Sequence, residues 1–215
     1  MRAKNKKVIF IGGFGYGQDI VDETCRNLSN KFGHVKGYTF NDAIHNRRVI
    51  VRQVNGADVI VHSAGIMALK NTSPNLVIVY GGPLGDSNNF IIFFKTIYKS
   101  VQMVFVHNLT KALDLHKSSA KALFSRIRSD SDEGILKYYF DKSISNCDSV
   151  VIAQGLIENG CKKVQLIYGE KDVYFKPAQK DIDRISKIKK IKLKFVPNAV
   201  HDEIILNDDL SDLWD

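Results

Sequence analysis

The chain has 215 residues, 44% apolar and 10% aromatic, with 31 Lys and Arg against 23 Asp and Glu for a formal charge of +8. The apolar fraction excludes a disordered chain, and the length allows one domain or one domain carrying an insertion. Apolar runs extend only a few residues, far short of the roughly 20 that a membrane-spanning helix requires, so no span is expected.

Cys25, Cys147 and Cys161 are odd in number, widely spaced and without a CxxC or Cys/His pattern. They read as ordinary thiols in a reducing, cytoplasmic setting, with neither a disulfide framework nor a metal site. The basic start ahead of Val8-Ile9-Phe10-Ile11 superficially imitates a secretory signal. The apolar run stops after four residues and no small-x-small cleavage site follows, so it reads instead as a first core strand.

Taken in chain order, short β-branched runs alternate with amphipathic stretches, the pattern of parallel strands joined by crossover helices. Val8–Ile11 is a strand, 18–31 a helix, 35–40 a strand, 44–54 a helix, Asp58–His62 a strand, 66–71 a helix and Leu76–Tyr80 a strand. Runs such as Leu76-Val77-Ile78-Val79-Tyr80 suit strands covered on both faces, so the sheet is expected to be central and flanked by helices. The next stretch, 86–160, is helical in pattern at 89–99, 101–115 and 119–127 and carries no strong strand. That is too long for an ordinary connection and reads as an inserted helical cap, leaving 1–85 and 161–215 as the core. A strand at 164–168, a helix at 177–188, a sixth strand at Ile191–Val196 and a closing helix at 202–214 complete the expected α/β chain.

The residues that carry chemistry fall after strands. Val59-Ile60-Val61-His62-Ser63-Ala64-Gly65 is a strand that runs through His-Ser-x-Gly into a helix, a tight turn that presents a serine hydroxyl. A serine hydroxyl is a weak nucleophile at neutral pH and requires a base with an orienting acid. Leu166-Ile-Tyr-Gly-Glu-Lys-Asp172 ends a strand in a turn with a carboxylate, and Phe195-Val-Pro-Asn-Ala-Val-His201 ends another in a histidine. Open α/β sheets place their sites at the carboxyl ends of parallel strands, where all three groups would lie.

The order Ser63, Asp172, His201 and the loop Gly12-Gly13-Phe14-Gly15 after the first strand together resemble the α/β-hydrolase superfamily, over about 8–81 and 163–206. The resemblance implies an α/β fold with a mostly parallel sheet of about six strands, trimmed before Val8, and a lid in the inserted stretch. It implies Ser63 as nucleophile, His201 as base, Asp172 as orienting acid, and the backbone N–H groups of Phe14 and Ala64 as an oxyanion hole. Val61 stands where the family's elbow has its first glycine, and Gly12 where a His-Gly pair is common. Serine at the elbow disfavours the chemistries that the family runs through a carboxylate nucleophile. The expected activity is hydrolysis of a carboxylic ester or thioester through an acyl-enzyme, with no cofactor. A non-catalytic ligand-binding member of the fold, an acyltransferase or a carbon–carbon hydrolase are the alternatives.

Bland roles compete at each position. Ser63 could be a helix N-cap, Asp172 a cap near Pro177 with Glu170 as the rival acid, and His201 a loop histidine. His62, His34, His45, His107 and His116 read as structural. A dinucleotide fingerprint fails because Gln18 occupies the last glycine position, and no P-loop lysine is present. The basic run from Lys180 to Lys194 against the acidic last residues reads as a solvated face with a complementary tail, so nucleic acid is not an expected partner. Lys111, Lys117, Lys121, Arg126 and Arg128 in the cap could steer an anionic or carrier-bound acyl substrate, and Phe90, Phe94 and Tyr98 could line its acyl pocket.

Overall fold

The structure is a computed structural model that describes residues 7–13, 16–85, 148–172, 174–201 and 204–208. Six strands form one parallel sheet: β1 (Val8–Ile11), β2 (Val35–Tyr38), β3 (Asp58–His62), β4 (Leu76–Tyr80), β5 (Lys163–Gly169) and β6 (Ile191–Val196), in the order β2-β1-β3-β4-β5-β6. The chain starts near the middle and winds to one edge, then crosses back and winds to the other. This reversal leaves the carboxyl ends of β1 and β3 side by side, with Ile11 opposite both Tyr38 and Val61.

Helices cover both faces, which is why the inner strands are apolar without alternation. On one face, α1 (Gln18–Phe32) lays Val21 and Leu28 against Val8, Phe10 and Ile60, joined by Ile204 of α6 (Ile204–Asn207). On the other, α2 (Phe40–His45), α3 (Arg47–Val54), a 3-10 turn (Ser63–Leu69), α4 (Ser149–Glu158) and α5 (Gln179–Ser186) meet the sheet. The edge strands are blunted with charge: β2 carries exposed Lys36, and β6 reads Ile-Lys-Leu-Lys-Phe-Val with exposed Lys192. Lys194 of β6 pairs with the buried carboxylate of Asp208 at 2.6 Å, one link between the basic run and the acidic tail.

Two expected helices differ in form. The stretch 44–54 is two helices, because Thr39 accepts from the Asp42 N–H at 3.1 Å and starts α2 at Phe40, and Asn46, at φ −99° and ψ 34°, ends it before α3 begins. That early cap also ends β2 at Tyr38. The stretch after His62 is a 3-10 turn over Ser63–Leu69, buried at every position.

Most of the expected cap, 86–147, lies outside the described residues. Its last part is α4, which buries Val150, Ile152, Ala153 and Leu156 against the 3-10 turn and β5 and so forms part of the layer over the sheet. The chain departs and returns at one clasp. Gly85 N–H donates to Asp148 Oδ2 at 2.9 Å, Ser149 N–H donates to the Pro83 carbonyl at 2.8 Å, and Arg184 of α5 reaches Asp148 Oδ2 at 2.6 Å. Asp148 Oδ1 caps α4 through the N–H groups of Val150 and Val151.

Asp148→Ala would strand these donors and is expected to lower stability by roughly 2–4 kcal/mol, read from the urea midpoint. A loss below about 0.5 kcal/mol would contradict this account of the clasp.

Candidate active site

β3 runs straight into the 3-10 turn at Ser63, which sits at φ 51°, a left-handed conformation that a residue with a Cβ adopts only when its surroundings hold it there. The surroundings are glycines. A Cβ on Gly65 would lie 2.8 Å from the carbonyl oxygens of Ile11 and Gly12, and one on Gly13 would lie 2.9 Å from Ser63 Cβ. The elbow is therefore pressed against the carboxyl end of β1. Val61, at the position where the family resemblance places a glycine, is fully buried in the core on one face of the sheet. Ser63 is not a helix cap, since the residue before the turn is His62 and it makes no side-chain cap bond.

The acid turn follows β5. Asp172 is 2% exposed and divides its two oxygens: Oδ1 accepts from the backbone N–H groups of Tyr174 at 2.8 Å and Phe175 at 3.0 Å, and Oδ2 lies 2.7 Å from Nδ1 of the buried His201. An ionised carboxylate only accepts, so Nδ1 carries the proton and the lone pair of a neutral imidazole is left on Nε2. Burial pushes the Asp172 carboxyl up, but attraction to His201, the hydrogen bond to it and the backbone donors of Phe175 and Tyr174 outweigh that and hold it below its ordinary 3.8. Asp172 does not cap the helix after Pro177, whose N-cap is Ala178; its backbone partners lie in the turn between. Glu170, the rival acid, is exposed and its carboxylate meets Asn198 N–H at 3.4 Å.

The histidine loop is fitted closely to the strands beside it. Gly81, at φ 59°, ends β4 where a Cβ would fall 2.7 Å from His201 Nδ1, and Lys171 N–H donates to the Ala199 carbonyl at 3.0 Å. The rings of Tyr174 and Phe175 each stand 5.3 Å from the His201 ring, tilted by 60°.

Ser63, Asp172 and His201 accordingly stand on loops after β3, β5 and β6 at one edge of the sheet, and Ala64 is buried just after the serine. Phe14, Phe90, Phe94 and Tyr98 lie outside the described residues, as do the basic residues assigned to the cap. Among the described residues no group of three or more His, Cys, Asp and Glu is placed to hold a metal, and no helix is long and apolar enough to cross a membrane. His62, which the sequence suggests is structural, lies beside Ser63 and His201. Its Nε2 lies 3.1 Å from the His201 carbonyl oxygen, and its ring stacks on Tyr16 at 4.6 Å. The available signal was a polar residue ending a strand whose other positions are apolar after Asp58.

No family model and no curated protein matches the sequence. Solved structures do resemble the fold. A structure from work on carboxylesterases of the thaumarchaeon Nitrososphaera gargenis matches with TM-score 0.62 and 18% identity, over 94% of this chain and 85% of that one. A thermophilic esterase from Thermogutta terrifontis matches at 0.59 and 11%, over 94% and 84%. A structure from work on epoxide hydrolases of the α/β-hydrolase superfamily, found in metagenomes of hot environments, matches at 0.51 and 12%, over 95% and 87%. At these identities the likeness is one of fold.

Because the folded Asp172 carboxyl titrates below its ordinary value, its contribution to stability is complete above about pH 4 and is lost as pH falls through the folded value. Asp172→Asn is expected to cost about 2 kcal/mol at pH 7, with the gap to wild type closing as urea titrations are repeated below pH 4. A gap of constant size from pH 7 to pH 3 would contradict the assignment.

Proposed function

From the premise that the chain has the α/β-hydrolase fold, we propose that it is a serine hydrolase that cleaves a carboxylic ester or thioester through an acyl-enzyme at Ser63. The observation that carries the proposal is the buried 2.7 Å pair of Asp172 and His201 at the sheet edge that also bears Ser63 in a left-handed elbow. A hydrogen-bonded carboxylate fixes the tautomer in which Nε2 can take a proton, and a strained elbow projects a hydroxyl clear of its strand.

In this reading Ser63 Oγ attacks the acyl carbonyl while His201 Nε2 accepts its proton. Asp172 stabilises the imidazolium and does not itself become protonated. The N–H groups of Ala64 and Phe14 receive the charge that develops on the carbonyl oxygen. His201 then returns the proton to the leaving alcohol or thiol, and water, activated by the same imidazole, releases the acid and restores Ser63. Phe90, Phe94 and Tyr98 would line the acyl pocket from the inserted stretch, whose lysines and arginines would favour an anionic or carrier-bound substrate. The proposal calls for no cofactor or metal.

A fluorophosphonate probe should modify the wild-type protein and leave Ser63→Ala unmodified, and His201→Ala should lose about 10⁴-fold or more in kcat on whichever member of an acyl ester and thioester panel turns over. A folded wild-type protein that resists the probe would overturn the proposal. Probe modification without turnover of any panel member would favour a ligand-binding role for the same fold.

A further inference from the structure

We propose that His62 is a positioning residue that holds the nucleophile elbow, the base loop, and Gly13 and Tyr16 after β1 in register; the inference rests on the serine-hydrolase reading. His62 is 1% exposed and ends a strand whose preceding residues Val59, Ile60 and Val61 are fully buried. Packing alone would be served by another apolar side chain, and an imidazole carries a desolvation cost unless it is hydrogen-bonded.

The bond it makes is informative. Nε2 lies 3.1 Å from the backbone carbonyl of His201, a bond between residues 139 positions apart. A carbonyl only accepts, so His62 Nε2–H donates. The donor acts on the main chain of the base and leaves the His201 ring nitrogens to Asp172 and to the reaction. His62 is therefore outside the proton path.

Three connections converge on this one residue. The peptide bond to Ser63 ties it to the nucleophile. The hydrogen bond to the His201 carbonyl ties it to the base, whose own ring lies 4.8 Å away at a tilt of 51°. The stack on Tyr16, with rings 21° from parallel, ties it to the loop after β1, where a Cβ on Gly13 would fall 2.7 Å from His62 Nδ1. Gly13 thus has to lack a side chain for the imidazole to sit where it does. Lys171 fixes the base loop through Ala199, before the histidine, whereas His62 fixes it at the histidine itself. Misplacement of a reacting group by about 1 Å can cost 10²-fold in rate, so a bond of this kind acts on the reactive step more than on substrate capture.

Two substitutions separate the bond from the ring. His62→Phe keeps an aromatic ring on Tyr16 and removes the donor, and His62→Gln places an N–H donor at similar reach without the ring. Fluorophosphonate inactivation resolved into kinact and KI, with thermal melts as the folding control, is expected to show His62→Phe lowered about 10- to 100-fold in kinact with KI within about twofold of wild type. His62→Gln is expected to recover kinact to within about fivefold. A folded His62→Phe that reacts at the wild-type kinact, or a His62→Gln as impaired as His62→Phe, would overturn the inference while the hydrolase reading stands. Wild-type protein that does not react at all would overturn the hydrolase reading and the inference with it. Should His62→Phe fail to fold, the tautomer decides on unaltered protein: long-range ¹⁵N–¹H NMR should find the His62 proton on Nε2, and a proton on Nδ1 alone would overturn the inference.

Discussion

Asp172 and His201 lie 29 residues apart, and the hydrogen bond between them joins the turn after β5 to the loop after β6 inside the protein. A buried carboxylate is costly unless each oxygen is satisfied, and the following turn supplies two backbone donors to the oxygen that does not face the histidine. Those donors prevent the carboxylate from rotating, so Oδ2 has one orientation to offer. His201 inherits that orientation. Its tautomer, and the direction in which its second nitrogen points, follow from a bond that the acid turn forms locally.

The sheet sets the distances over which this bond can matter. Parallel pairing from β1 through β6 brings every carboxyl end to one edge, and the reversal of winding after β2 places the β1 and β3 loops against each other. Close approach at that seam is possible because Gly13 and Gly65 lack side chains, and the left-handed Ser63 is held by the same crowding. At the far side Gly81 allows β4 to end directly beneath the His201 ring. Backbone proximity at these glycines does what a longer loop would otherwise have to do.

The strands were legible where both faces are covered. β1, β3 and β4 have the bounds that the apolar runs and glycine punctuation suggest, because a doubly buried strand tolerates no polar interior, while β6, also at its expected bounds, is an edge strand that carries two lysines. Ser63, Asp172 and His201 were legible as residues after such strands. Elsewhere the deciding contacts lie outside the local apolar pattern. The split at Asn46 follows from a Thr39 cap outside the helical pattern, and α4 joins the sheet through Asp148, whose partners Gly85 and Arg184 lie 63 and 36 positions away. His62 reads from the sequence as a structural histidine, and its bond to a loop at the other end of the chain leaves no local signal of its partner.

The central claim is that Ser63 forms a covalent acyl intermediate. Mixing the protein with an activated ester, quenching in acid within the first turnover and mapping the digest by mass spectrometry tests it most directly. The account predicts one added acyl group, confined to the peptide that contains Ser63 and persisting longer when the acceptor water is diluted with an organic cosolvent. Turnover with no adduct, or an adduct on another residue, would contradict it.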